Sequence, residues 1–279
     1  MENDFTFTLN DGLVLPAVGF GTYGLNGRNG AEVIKKAVHN GYRLLDSAFN
    51  YENEGALGAA VRDCGIPRAD LLVTSKLPGR HQAYKEALYT VEESLFRAGL
   101  DYYDLYLIHW PNPREDLYVE AWQALIEAKK RGMVRSIGVC NFLPEHLDRL
   151  MKETGTAPVI NQVELHPYFN QETQRAFDKE HHIATEAWSP LGRASQMMND
   201  PVITEIAEAH GKTVTQTILR WHVQLGVLPI PKAASDEHQK ENLDLFNFAL
   251  SEEEMKKINS LTREDGRTFN QDPAVYEEF

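Results

Sequence analysis

Cysteine is scarce in the 279-residue sequence: Cys64 and Cys140 stand far apart and form no CxxC pair. That excludes a disulfide-stapled scaffold and a zinc ribbon, and favours a reducing, cytoplasmic setting. No apolar run approaches the ~20 residues needed to cross a bilayer. The N-terminal stretch MENDFTFTLND also lacks the apolar segment of a secretory leader. Basic residues are in deficit, 28 Lys and Arg against 41 Asp and Glu, for a net charge of −13. This balance argues against nucleic acid or an anionic membrane as partner. It does not exclude an anionic cofactor, because a local lysine can hold a phosphate on an acidic protein.

What is present is alternation. Short runs rich in Leu and β-branched residues recur at VGFGTY, YRLLDSA, LLVTSKL, YDLYLIHW, VRSIGVCNF, PVINQVELHP, IATEAWSP and GVLPIP. Helix-period segments lie between them. In LYVEAWQALIEAKKRG, for example, Leu117, Ala121, Leu125 and Ala128 recur at helical spacing before Lys129, Lys130, Arg131 and Gly132. Strands apolar on both sides, each followed by a helix, indicate a parallel sheet covered on both faces. Eight such units without a break in composition close most simply into a (β/α)8 barrel, one domain over residues 1–279. A leading hairpin, TFTLNDGLVLPAV, turns at Asn10, Asp11 and Gly12 and would plug the N-terminal end. Two helical segments before GVLPIP and a tail helix in SEEEMKKINSL are additions to the plain barrel.

GFGTYG matches GxGxxG after a strand, and Asp46 ends the next strand, as in a Rossmann dinucleotide fingerprint. There the helix opens at the third glycine. Here LNGRNG intervenes and a helix is expected only from about Ala31, so a glycine-rich barrel loop is preferred.

In a barrel, the C-terminal ends of the strands converge on one mouth. Asp46, Lys76 and His109 each end an apolar strand, and Tyr51 follows Asp46 in the loop leaving that mouth. A lone buried carboxylate is costly, which makes Lys76 the natural partner of Asp46. A lysine charge beside Tyr51 is expected to lower the phenol's pKa, leaving an acid able to protonate a developing alkoxide. A neutral His109 would hydrogen-bond the carbonyl oxygen. None of the four groups can supply a hydride, so carbonyl reduction by this set needs a nicotinamide. A Schiff-base aldolase working through Lys76 remains open, as does a cofactor-sensing regulatory barrel. No metal-ligand set is apparent: His181 and His182 are adjacent and suit a helix end, and His166 suits a structural hydrogen bond.

The segments LDSAFNYENE, TSKL, DLYLIHWP and IPKAASDEHQKENL, in that order, resemble the aldo-keto reductase family over nearly the whole chain. The similarity is strongest to its bacterial 2,5-diketo-gluconate reductase-like and glyoxal reductase-like branch. The resemblance implies a catalytic tetrad of Asp46, Tyr51, Lys76 and His109, with Tyr51 the proton donor. It implies NADPH lying extended across the mouth. Asn141 and Gln162 would hold the carboxamide, and Trp188 would stack on the nicotinamide. Ser189 and Leu191 would approach the pyrophosphate, and Thr22 and Tyr23 would form the first loop of the cleft. Lys232 would meet the 2′-phosphate, with Glu241 and Asn242 at the adenine. Three positions depart from the family pattern: Cys140 replaces a serine, Ala233 another serine, and His238 an arginine. Losing that arginine removes a bidentate phosphate partner, so NADPH is expected with weakened discrimination against NADH. Tyr23, Asn50, His109 and Trp110 would wall the pocket for a small or medium carbonyl compound, with FNQDPAVYEEF close by. A monomer is expected.

Overall fold

The computed structural model describes residues 5–194 and 196–279. Two short strands, β1 (Thr6–Thr8) and β2 (Val14–Pro16), pair antiparallel with Phe7 opposite Leu15. The turn between them places Gly12 at φ +92, a conformation that favours glycine. Leu9 and Leu15 of this hairpin are buried with Leu44, Leu105, Leu107, Ile160 and Leu228. They close one end of the barrel interior, as the sequence suggests.

Eight parallel strands follow: β3 (Phe20–Gly21), β4 (Leu44–Asp46), β5 (Leu72–Leu77), β6 (Tyr103–Ile108), β7 (Val134–Cys140), β8 (Ile160–Glu164), β9 (Ala184–Trp188) and β10 (Val227–Pro229). Each pairs with its neighbour in sequence order. The first and last are joined as well: Gly19 N–H donates to Pro229 O (3.0 Å) and Gly21 N–H to Pro231 O (3.1 Å). Side chains larger than hydrogen would not fit this seam freely. A Cβ on Gly19 would lie 2.7 Å from Ile230 Cγ2, and one on Gly21 would lie 3.0 Å from Ile230 O. The sheet is therefore a closed (β/α)8 barrel.

Helices α1 (Gly27–His39), α2 (Glu54–Asp63), α3 (Tyr84–Ala98), α4 (Tyr118–Lys130), α5 (Pro144–Thr154) and α6 (Glu172–Glu180) cover the outside between successive strands. The expected pair before the last strand is present as α7 (Pro201–His210) and α8 (Val214–Gln224). A short α9 (Asp236–Glu241) follows β10, and α10 (Glu252–Asn259) is the tail helix, capped by Ser251 and Glu254. Helix α4 ends as its sequence predicts, with Gly132 at φ +77 and its N–H bonded to Lys129 O.

Helix α1 starts at Gly27, earlier than the expected Ala31. The reason is a close approach: a Cβ on Gly30 would sit 2.2 Å from the Leu25 backbone, so only glycine lets the first turn fold back there. His181 caps the end of α6, as anticipated, and His166 bonds Glu164 Oε1 (3.1 Å) structurally. The main core lies between strands and helices, with Trp122, Tyr103, Tyr106 and Phe142 fully buried.

Candidate active site

Strand register brings the ionisable groups together. Asp46 pairs with Thr74, two residues before Lys76, and Leu77 pairs with Ile108, one before His109. Lys76 is fully buried, and each ammonium hydrogen has an acceptor: Asp46 Oδ1 at 2.7 Å, Asp46 Oδ2 at 2.6 Å and Ser47 O at 2.8 Å. Burial opposes the charge, yet the bonded Asp46 carboxylate outweighs it and holds Lys76 well above the ordinary lysine range. A buried, fully bonded ammonium of that kind is a poor amine nucleophile, which counts against Schiff-base chemistry.

Tyr51 lies on a short 3-10 turn (Phe49–Tyr51) after β4. Lys76 Nζ is 5.1 Å from its ring centroid, and the His109 ring packs edge-on at 5.8 Å. Tyr51 lines the cavity. Burial pushes the phenol above its ordinary value. Lys76 pulls it down, while Asp46, Cys140 and Glu278 add to the rise. The expected lowering of this pKa is therefore corrected. Lysine charge is present, but desolvation and three acidic neighbours exceed it. Tyr51 keeps its proton at any working pH and suits the role of donor.

Beneath this group, Gln162 Nε2 donates to Asp46 Oδ1 (3.0 Å) and to Glu186 Oε2 (2.7 Å). Two carboxylate acceptors fix the amide so that its oxygen is left over. Glu186 is buried with Oε1 unpaired, and burial together with the Asp46 charge pushes its pKa up to about 8. Its signal was legible: in EAW it stands two residues before Trp188, so on a strand both face inward. Asn141, at φ +61, donates to His109 O (3.0 Å) and accepts from Trp188 Nε1 (2.8 Å). Cys140 is buried, and burial first of all pushes its thiol well above the ordinary range, so it is inert.

One cavity of about 1080 Å³ connects these residues to the far end of the mouth. Of the residues singled out from sequence, Thr22, Tyr23, Asp46, Asn50, Tyr51, His109, Trp110, Asn141, Gln162, Trp188, Ser189, Leu191, Lys232, His238 and Asn242 line it. Lys76 lies just behind Asp46. Glu241 does not line it: its carboxylate turns to the N-cap of α8 and accepts from Thr213 Oγ1 (2.5 Å). At the same far end Asn242 and the Tyr42 hydroxyl are both buried and lie within reach of one another. The exposed Lys232 on the wall of the cavity fits a phosphate.

Sequence reasoning missed other wall residues. Arg193 stacks on Phe269 (4.1 Å) and Tyr23 (5.5 Å). The tail brings Tyr276 onto Trp110 (4.5 Å between ring centroids) and Glu278 against His109. FNQDPAVYEEF hints at the tail, but no pattern singles out Glu278.

The model of the aldo/keto reductase family matches residues 17–263. The chain belongs to that family. It is 48% identical over its full length, and over the full length of the relative, to 2,5-diketo-D-gluconic acid reductase B from a Corynebacterium species. It is 42% identical to glyoxal reductase from Bacillus subtilis, covering 97% of this chain and 98% of that one. Among solved structures, a Gox0644 variant in complex with NADPH superposes with a TM-score of 0.94 at 41% identity, covering 99% of this chain and 100% of that one. For an aldo/keto reductase, the placement of the four ionisable groups at the C-terminal strand ends is where the barrel's chemistry belongs. Among the described residues no helix is long and apolar enough to cross a membrane.

Proposed function

We propose that this chain, acting as one monomeric barrel unit, reduces small aldehydes and ketones, dicarbonyl compounds foremost, with NADPH as the reductant and Tyr51 as proton donor. The supporting observation is the single cavity that has Tyr51, His109 and the Asp46–Lys76 pair at one end and Lys232, His238 and Asn242 at the other. When bound, the nicotinamide supplies the hydride that adds to the carbonyl carbon. The Tyr51 hydroxyl gives its proton to the carbonyl oxygen, and the Lys76 charge stabilises the phenolate left behind. Asp46 keeps Lys76 charged and in place. Trp188, held by Asn141, offers a flat face for the nicotinamide ring, and the free oxygen of Gln162 suits its carboxamide. Relatives named for glyoxal and 2,5-diketo-D-gluconic acid support the dicarbonyl class.

The test is NADPH oxidation by a panel of aldehydes, dicarbonyls and keto-sugars, with wild type and Tyr51→Phe compared. The variant should lose on the order of 10²–10³ in kcat and bind NADPH within about twofold of wild type. Retention of more than about a tenth of turnover removes Tyr51 from the proton-donor role.

A further inference from the structure

The segment that carries Tyr276 and Glu278 lines the mouth. Glu278, the penultimate residue, is buried and tied to loops that follow three strands. Its Oε1 accepts from Asn50 Nδ2 (2.8 Å) after β4, and its Oε2 accepts from Gly79 N–H (2.9 Å) after β5. Its backbone N–H and C=O pair with the side chain of Asn112 (3.0 and 2.9 Å) after β6. The same Oε1 lies 2.7 Å from Nδ1 of His109. The approach is oblique for a hydrogen bond, and Nδ1 has no other partner. Two bare lone pairs at that separation would repel, so one of the two atoms carries a hydrogen. Glu278 does not carry it. Both of its oxygens already accept hydrogens from other donors, Oε1 from Asn50 and Oε2 from Gly79, as a carboxylate does. The hydrogen is on Nδ1.

A neutral imidazole with its hydrogen on Nδ1 presents a bare lone pair at Nε2. His109 lines the cavity, and among the described residues none bonds its Nε2. A carbonyl oxygen arriving there meets a donor only if the ring is charged. The neutral, donating histidine expected from sequence does not fit this arrangement.

We propose that Glu278 is a positioning residue: it fixes the His109 tautomer so that the ring donates to the substrate oxygen only as imidazolium, with the Glu278 carboxylate as its counter-charge. The proposal rests on the reductase reading above. Around the pair stand Tyr51, the mutually neutralising Asp46 and Lys76, Cys140 on β7, and Arg80, which donates to Asn50 Oδ1 (2.5 Å). Tyr51 and Cys140 stay protonated through neutral pH, and Glu186 lies below Gln162, out of contact with the ring.

The test is the ¹⁵N spectrum of the His109 ring across a pH titration, in wild type and in Glu278→Gln. In wild type the neutral ring should carry its hydrogen on Nδ1. In the variant the Gln amide can donate to Nδ1, and the hydrogen should move to Nε2. Turnover should follow: wild-type kcat/KM for a neutral aldehyde falls about tenfold per pH unit once the ring loses its charge, while the variant falls less than about twofold over the same range. A role confined to folding would scale the two profiles without changing their shape. Neutral wild-type His109 with its hydrogen on Nε2, or profiles of identical shape, overturns the proposal. The wild-type spectrum decides the tautomer even if the variant does not fold. It also decides it if no carbonyl compound oxidises NADPH, an outcome that sinks the reductase reading alone.

Discussion

Lys76 and Asp46 are the most exposed to single changes, because each is buried and depends on the other. Lys76→Met keeps the bulk but leaves the Asp46 carboxylate with Gln162 as its one side-chain donor. Breaking a buried pair from one side costs about 3–5 kcal/mol. Urea denaturation should show a loss of that size, and a loss under about 1 kcal/mol would mean that water reaches Asp46. At the other end of the cavity, Lys232 is exposed and His238 stands where the family has an arginine. A planar guanidinium grips a phosphate bidentately, and an imidazole cannot. The kcat/KM ratio of NADPH to NADH should therefore be modest but above about ten. His238→Arg should widen it by about tenfold more, one good charge-assisted contact's worth. A wild-type ratio below about ten, or one favouring NADH, would overturn the NADPH assignment.

At the scale of elements, the site depends on helices that never touch it. Helix α2 carries Glu54, whose Oε1 accepts from Ser75 Oγ (2.5 Å) on β5, next to Lys76, and from Ser94 Oγ on α3. That three-way joint requires α2 to pack against the end of α3 at very short range. A Cβ on Gly58 would fall 1.6 Å from Ala98 O, a backbone atom with no room to move. Gly58→Ala should thus destabilise by about 3 kcal/mol, at the upper end for overpacking, despite alanine's better helix propensity. An unchanged melting temperature would show that the helices slide apart freely. Such a contact is invisible in sequence, where Gly58 in EGALGAAVRD reads as a weak spot in a helix. The strands and the end of α4 were legible because they rest on local rules: period, and Gly132 after basic residues. The start of α1 was not, because Gly30 is chosen for its fit against Leu25.

At the scale of the molecule, the tetrad was legible because strand ends converge, and that depends on topology alone. The interior carboxylates and the tail were harder to read. Glu278 reaches His109 only because the last twenty residues return across the mouth, and no periodicity marks that path. The sign of the Tyr51 shift was misjudged for the same reason: desolvation depends on the whole wall, while a lysine neighbour can be read from one motif. The buried acids also leave a signature in stability. Glu186 and Asp178 have folded pKa values of about 8 and about 7, raised first of all by burial, against 4.5 and 3.8 for the unconstrained groups. A raised carboxyl holds its proton more tightly when folded, so its contribution is complete below the unfolded value and is lost as pH rises through the folded one. Buried His222, lowered to about 4 from 6.5, acts in the opposite sense below 6.5. Glu278 and Glu164, both lowered, contribute fully above 4.5. The window from about pH 6.5 to 8 is therefore left to the buried acids raised in this way, Glu186 and Asp178 with Glu54 acting in the same sense, and unfolding free energy should fall across it. Glu186→Gln should flatten that fall by about 2 kcal/mol, since one pKa unit corresponds to about 1.4 kcal/mol. Parallel stability curves for wild type and variant would show that Glu186 is already ionised beside Asp46 in the folded barrel.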